Sequence, residues 1–199
     1  GVSLTSTIHA SLLALGTPIF ITTAAAWLLQ DAFTKNKAWG LVFGLSGAAL
    51  LLVNATNTRQ GDNVILGDIF IIINSISYAL YFVLVKPLMA RYNPVHVVRW
   101  VFMFGGIMIL PFGWNDFLAT DFNTLTPLAW WAMVAVTIGA TFIAYMGNIY
   151  SLKYLGPSIT GSYIYSQPVF ATFIAVAFLG EAFHWYHVLA AALVFTGVW

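Results

Sequence analysis

The sequence predicts an all-α polytopic membrane protein, and two observations support this fold class. Hydrophobic residues make up 61% of the 199-residue chain and charged residues only 7%, whereas ordinary soluble domains carry about 25% charge. The few charges leave seven uncharged stretches, each near the roughly 20 residues that a helix needs to cross the hydrocarbon. With a net charge of +1 and no cysteine, we expect the lipid bilayer as surroundings, and no nucleic acid, cofactor or metal as partner.

Trimming these stretches at turn-forming residues predicts seven membrane-spanning helices joined by short connections. The helices are expected at residues 6–29, 38–54, 66–86, 97–114, 127–150, 157–180 and 183–199. The tryptophans support these limits, because indole side chains favour the membrane–water interface. All eight fall near span ends: Trp27, Trp39, Trp100, Trp114, Trp130, Trp131, Trp185 and Trp199.

The orientation follows from the positive charges, because cytoplasmic loops carry an excess of Lys and Arg. Six of the seven basic residues fall on one side, with only Arg59 on the other; the six are Lys35, Lys37, Lys86, Arg91, Arg99 and Lys153. The loops at 30–37, 87–96 and 151–156 are therefore predicted to be cytoplasmic. The first span then begins outside, which indicates that an odd number of spans precedes it.

The first two spans repeat as the last two. A shift of 150 residues gives eight identities within residues 18–47, among them Pro18 with Pro168 and Gly47 with Gly197. Asp31 and Glu181 also match in this register. The sixth span follows the first by five crossings, so the two copies have opposite orientations. Inverted repeats are typical of secondary transporters.

The repeated motif resembles the EamA-type family of the drug/metabolite transporter superfamily. The second copy carries it as Gly156-Pro157-Ser158, Gln167-Pro168-Val169-Phe170-Ala171 and Phe178-Leu179-Gly180-Glu181, followed by Gly197. The first copy has Thr17-Pro18-Ile19-Phe20, Leu29-Gln30-Asp31 and Gly47, with Gln-Asp where the family usually has Gly-Glu. The resemblance implies ten helices in two inverted repeats of five, of which seven are present.

This division assigns residues 1–54 to the last two helices of the first repeat, 55–64 to an extracytoplasmic linker and 65–199 to the second repeat. We expect a multi-pass protein of the bacterial inner membrane that exports small metabolites, amino-acid-like or amphipathic solutes by alternating access. Such a protein is not an enzyme. Asp31 and Glu181 are expected to cap the N-terminus of a neighbouring helix, where a carboxylate is favourable.

Polar stripes on several spans predict the transport cavity, because such groups in lipid must face protein or water. The predicted lining residues are Asn74, Tyr78, Tyr81, Thr141, Tyr145, Asn148, Tyr163, Ser166 and Gln167. Pro18 and Pro168 are predicted to break their helices, since proline lacks an N–H and clashes with the preceding turn. The lining is neutral and aromatic, which suits uncharged, zwitterionic or weakly cationic solutes. Interhelical hydrogen bonding is the alternative for any single hydroxyl.

Two other classes remain as alternatives to a transporter. An intramembrane enzyme would need a motif such as HExxH or GxSxG or a pair of deep carboxylates, none of which the sequence contains. A seven-helix receptor-like protein would match the number of visible spans, but the inverted repeat has no role in it. His184 and His187 are spaced at i and i+3 without a clear third ligand, so we predict no metal site there.

Overall fold

The computed structural model describes residues 1–5, 7–54, 63–178, 180 and 182–198, apart from the side chains at 7, 8 and 123. All regular structure in these residues is helical. Five helices among them are long and apolar enough to cross a membrane. The all-helical, polytopic membrane fold predicted from the sequence is therefore confirmed. Residues 55–62 of the predicted linker, the motif residues Leu179 and Glu181, and Trp199 lie outside the described residues.

The first predicted span forms two helices, α1 (Thr7–Ala14) and α2 (Thr17–Leu28). Pro18 lies in the first turn of α2, where its missing N–H costs no hydrogen bond. The amide of Gly16 instead donates to the carbonyl of Leu13 at 3.0 Å, which closes a tight turn between the helices. The second predicted span is α3 (Lys35–Val53), and its N-cap is Thr34.

The next two helices are longer than predicted. They are α4 (Val64–Arg91) in place of 66–86 and α5 (Pro94–Ala119) in place of 97–114. The predicted cytoplasmic loop 87–96 is consequently wrong in extent, because only Tyr92 and Asn93 separate the helices. Asn93 caps α5 by accepting a hydrogen bond from the amide of Val95. Pro87 and Pro111 are accommodated within helices, as is common in membrane spans.

The fifth span is continuous but changes its helical type. A short 3-10 turn (Phe122–Thr124) precedes α6 (Pro127–Ala135), a π-helical segment (Val136–Ile143) and α7 (Ala144–Leu155). A π-helix closes i→i+5 hydrogen bonds, and such segments often occur at functional sites. The predicted loop 151–156 is corrected, since residues 151–155 are helical and only Gly156 separates α7 from the next helix. Residues 35–37 of the predicted loop 30–37 likewise belong to α3.

The sixth span consists of α8 (Pro157–Ser162), a 3-10 turn (Tyr163–Ser166) and α9 (Gln167–Phe178). Gly156 has φ 86°, a left-handed conformation that glycine adopts without a steric penalty, and it turns the chain sharply into Pro157. Pro168 stands at the start of α9. The last predicted span is α10 (Trp185–Val198).

The chain forms two compact units, Gly1–Val85 with Gly156–Trp199, and Lys86–Leu155. In the first unit, α3 and α10 pack antiparallel at very short range. A Cβ atom on Gly40 would lie 2.5 Å from the carbonyl oxygen of Gly197. Beside this contact lies a buried apolar cluster of Leu15, Leu41, Ala48, Tyr165 and Val194.

The second unit has a small core between α5 and α7, together with the end of α4. Its buried side chains are Met89, Val97, Val98, Ile149 and Leu152. The ammonium of Lys86 donates to the carbonyls of Leu152 and Lys153, both at 3.0 Å. This contact satisfies carbonyls in the last turn of α7 that have no partner within the helix.

Candidate functional site

The predicted lining residues of α4 lie along one part of the helix. The rings of Tyr78 and Tyr81 are half-buried, with centroids 6.2 Å apart. Tyr78 also packs against Phe82 at 4.7 Å, and Phe82 is itself buried. Asn74, one turn earlier, is exposed. These contacts fix the two tyrosine rings on α4 while the amide of Asn74 stays accessible.

Three further predicted residues lie at the junction of α8 and α9. The hydroxyl of Ser166 donates to the carbonyl of Tyr163 at 2.6 Å, within the 3-10 turn. Ser166 is therefore buried and satisfied by its own backbone, whereas Tyr163 and Gln167 are exposed. The turn lies immediately before Pro168, where an α-helical hydrogen bond is unavailable to the proline. The phenol of Tyr163 and the amide of Gln167 therefore remain accessible polar groups.

The remaining three predicted residues belong to the second unit. Thr141 lies in the π-helical segment, and Tyr145 and Asn148 follow in α7; all three are half-buried. The ring of Tyr145 packs edge-on against Phe102 of α5, with centroids 5.0 Å apart. This contact orients the phenol of Tyr145 on the surface of its unit.

The nine predicted lining residues thus divide between the units, six in the first and three in the second. The first unit holds Asn74, Tyr78, Tyr81, Tyr163, Ser166 and Gln167, and the second holds Thr141, Tyr145 and Asn148. Their meeting in one cavity stays a prediction. Among the six, the structure brings together the ring pair on α4 and, separately, the residues of the 3-10 turn.

A polar network that the sequence analysis did not identify joins α2, α3 and α8. One carboxylate oxygen of Asp31 accepts a hydrogen bond from the Lys37 ammonium, and the other accepts one from the Ser158 hydroxyl, each at 2.7 Å. Asp31 thus lies at the N-terminus of the neighbouring helix α8, against its second residue, whereas the N-cap of α3 is Thr34. We call this side of the first unit the Asp31 end. The match of Asp31 with Glu181 in the two copies was the only feature of the sequence that pointed to this network.

A cleft of about 380 Å³ opens beside this network, with Lys37 and Ser158 in its wall. It is also lined by the hydroxyls of Thr22, Ser162 and Thr196. Each of these donates to a backbone carbonyl one turn earlier in its own helix. The hydroxyl oxygens therefore face the cleft only as hydrogen-bond acceptors, and the Lys37 ammonium supplies donors.

A second polar cluster lies at the opposite end of the α1–α2 span, where the N-terminal segment meets the start of α4. The carboxylate of Asp68 accepts a hydrogen bond from the Thr5 hydroxyl, and its other oxygen lies 3.2 Å from Nδ1 of His9. The amide of Asn63 donates to the carbonyl of Leu4 at 3.0 Å. We call this side the Asp68 end. Sequence analysis missed the cluster, because Asp68 had no repeated counterpart to mark it.

The buried hydroxyl of Tyr165 stands apart from these networks. Tyr165 is fully buried, and its hydroxyl has no hydrogen-bond partner among the described protein groups. A buried polar atom of this kind calls for an explanation, since most are paired. Its position between α3 and α10 makes Tyr165 primarily a packing residue.

Membrane-length helices, an antiparallel glycine contact and polar networks at both ends of one unit define a polytopic membrane protein. Residues 65–199 match the EamA-like transporter family, so the chain belongs to that family. This confirms the resemblance that the repeated motif predicts.

The chain is similar over its whole length to the uncharacterized transporter YetK of Bacillus subtilis, with 22% identity and 60% of that protein covered. An uncharacterized transporter of Archaeoglobus fulgidus is 23% identical over 98% of the chain and 66% of its own length. A probable terminal-alkyne amino-acid exporter of Streptantibioticus cattleyicolor is 24% identical over 86% of the chain and 56% of its own length.

The fold is also found in a solved crystal structure. That structure superposes with a TM-score of 0.77 at 22% identity, and the match covers 96% of this chain and 64% of the other. The chain therefore spans about three-fifths of the length of the first curated relatives it matches.

Proposed function

We propose that this chain is part of a secondary transporter of the bacterial inner membrane, which exports small amino-acid-like or amphipathic solutes. Two inverted repeats would alternate access to the solute from the two sides of the membrane. The Asp31 end is the cytoplasmic side in this proposal, because Asp31 lies in the lysine-containing connection 30–37, which the distribution of basic residues predicts to be cytoplasmic. The observation that carries the proposal is the contact between α3 and α10.

That contact contains two close approaches of a glycine to a backbone carbonyl, and the 150-residue shift converts one into the other. A Cβ on Gly197 would lie 2.6 Å from the carbonyl oxygen of Gly40, and a Cβ on Gly47 would lie 2.7 Å from that of Ala190. Under the 150-residue shift, position 40 corresponds to 190 and position 47 to 197. The second approach is thus the equivalent of the first with the helices exchanged. A two-fold axis between equivalent elements produces such a self-complementary contact, and this supports two inverted copies.

The chemistry of the predicted lining residues supports a solute without strong charge. They supply phenols, amides and hydroxyls, which bind ammonium and carboxylate groups by hydrogen bonds and ring faces. The relative described as a probable terminal-alkyne amino-acid exporter supports amino-acid-like solutes. Aromatic amino acids are therefore the first solutes to test.

The test is solute flux in proteoliposomes that contain the full-length protein. We expect loaded radiolabelled phenylalanine or tyrosine to leave the vesicles faster than from protein-free vesicles. Tyr145→Ala and Gln167→Ala should reduce the initial rate, because each removes an accessible polar group of the predicted lining. Phe112→Ala is the matched control, since its ring is 85% exposed on α5. Unchanged flux in both lining variants would contradict this lining.

The same vesicles distinguish the alternative classes. A transporter releases the loaded amino acid unaltered, as chromatography of the external solution would show. An intramembrane enzyme would give a chemically altered product, and a receptor-like protein would give no protein-dependent flux. Either of these two results would contradict the proposed transport function.

A further inference from the structure

The contact between Asp31 and Ser158 joins segments that the predicted division assigns to different repeats. Asp31 follows α2 in the first repeat, and Ser158 is the second residue of α8 in the second repeat. Their side chains meet at 2.7 Å although 127 positions separate them in the chain. The bond lies where α2 ends and α8 begins, and the two helices run antiparallel from it, with Gly161 of α8 beside Ile21 of α2 one turn further along.

Local backbone geometry holds both partners in place. Gln30, just before the acid, has φ 56°, an uncommon conformation for a residue with a side chain. The amide of Asp31 then donates to the carbonyl of Ala25 at 3.2 Å, which folds the acid back over the end of α2. On the other side, the left-handed Gly156 and Pro157 fix the start of α8. Backbone strain concentrates at sites where position matters.

The two partners of Asp31 have different roles. Lys37 belongs to the same repeat as Asp31, so their ion pair does not cross between repeats, and both side chains remain partly exposed. Ser158 is 4% exposed, and its hydroxyl supplies the bond that does cross. Lys37 orients the carboxylate through its own hydrogen bond at 2.7 Å, and a carboxylate acceptor makes the hydrogen bond from Ser158 stronger than a neutral one.

A counterpart exists at the opposite end of the α1–α2 span. There Asp68, in the predicted second repeat, is held by Thr5 and His9 of the first. The span that contains α1 and α2 is thus tied to the second repeat at both ends, by different helices. Alternating access requires contacts at the two ends to break in turn.

We propose that Asp31 is a positioning residue of the transport cycle: its bond to Ser158 closes the Asp31 end in one access state and breaks in the other. This inference rests on the proposed transport function and on the predicted repeats. It assigns to the acid of the first copy a role beyond capping, namely control of the balance between the two access states.

Cross-linking tests whether the contact must break. The chain contains no cysteine, so we would introduce Asp31→Cys with Ser158→Cys and join them with a short cleavable thiol reagent, after replacing any cysteine elsewhere in the full-length protein. Flux should fall at least tenfold on cross-linking and recover on cleavage. Trp27→Cys with Gln30→Cys, a pair within one repeat at the same end, should show no such dependence. Equal flux before and after cleavage of the Asp31–Ser158 link would overturn the proposal.

A distance measurement tests the same point without relying on flux. Spin labels at Asn36 on α3 and Ile159 on α8 face the cleft from different repeats. We expect a short and a long distance population, with the long one enlarged by Ser158→Ala and restored to the original balance by Ser158→Thr, which keeps the hydroxyl. A single population that Ser158→Ala leaves unchanged would overturn the proposal. Absence of flux in the unsubstituted protein would instead contradict the proposed function.

Discussion

The ring of Tyr165 lies directly against the backbone of Gly44, where a Cβ atom would collide with it. The 150-residue shift relates Tyr165 to Leu15 and Gly44 to Val194, so the equivalent pair is Leu15 with Val194. One pair therefore combines a large side chain with glycine, and the equivalent pair combines two side chains of intermediate size. All these side chains belong to one buried cluster, so the two copies fill a shared core with different combinations of volume.

This relationship predicts that the two positions compensate for each other. Gly44→Val alone should destabilise the protein by about 1–3 kcal/mol, because overpacking forces side chains from their preferred rotamers. Adding Tyr165→Leu, which recreates the combination of the equivalent pair Leu15 and Val194, should recover much of the loss. Thermal unfolding of the four proteins in a double-mutant cycle measures the coupling. Simple additivity of the two single effects would show that the residues do not share space.

The backbone contact of α3 with α10 predicts intolerance of even a methyl group. A Cβ on Gly197 would lie 2.6 Å from both the carbonyl oxygen of Gly40 and the amide nitrogen of Gly44. Gly197→Ala should therefore separate the helices and lower the unfolding temperature.

Gly105→Ala on α5 provides the matched control. Beyond the neighbouring backbone of its own helix, no described atom lies within 4 Å of a Cβ at that position, and alanine favours a helix over glycine by about 0.5–1 kcal/mol. The control should be neutral or stabilising. If both variants behaved alike, close approach would not explain the glycine at position 197.

Much of the fold could be predicted because apolar length and turn residues act locally. Helices occur where the seven uncharged stretches lie, and Gly156-Pro157 marks a sharp turn. The predicted limits of α4 and α5 were wrong because they were drawn from the uncharged stretches. The side chain of Asn93 caps α5 and makes the connection between the two helices shorter than those stretches indicate. The π-helical segment Val136–Ile143 was missed, because apolar periodicity does not separate π from α geometry over eight residues.

Site residues were harder to predict, because side chains meet across long separations in sequence. The polar stripe on α4 was visible from helical spacing, and its rings do lie together. The bond between Asp31 and Ser158 depends on how two helices end and begin, which no periodicity encodes. Ser166 was predicted as a lining residue from its type, whereas its hydroxyl bonds to its own turn. Whether the remaining residues share a cavity stays a prediction.

In the second unit, the Lys86 ammonium caps the end of α7 through two carbonyls. Lys86→Met keeps the apolar length but removes the donors and the favourable charge at a helix C-terminus. We expect a loss of about 1–2 kcal/mol and faster hydrogen exchange in the last turn of α7. Lys86→Arg should retain both properties, and Lys35→Met, at an exposed position, controls for the loss of a charge. Equal stability of Lys86→Met and Lys35→Met would contradict this role.

At the Asp68 end, the carboxylate accepts a bond from Thr5 and lies beside His9. Asp68→Ala removes both contacts, so the N-terminal residues 1–5 should exchange their amide hydrogens faster than in the unsubstituted protein. Asp68→Asn keeps an oxygen that can accept from Thr5 but loses the charge that attracts a protonated His9, and it should give an intermediate rate. Asp116→Ala, on α5, controls for removal of an acid elsewhere. If Asp68→Asn exchanges as fast as Asp68→Ala, the charge rather than the Thr5 bond holds the segment. If Asp68→Ala leaves the exchange of residues 1–5 unchanged, the cluster does not anchor them. The inference that Asp68 holds the α1–α2 span at this end would then be wrong.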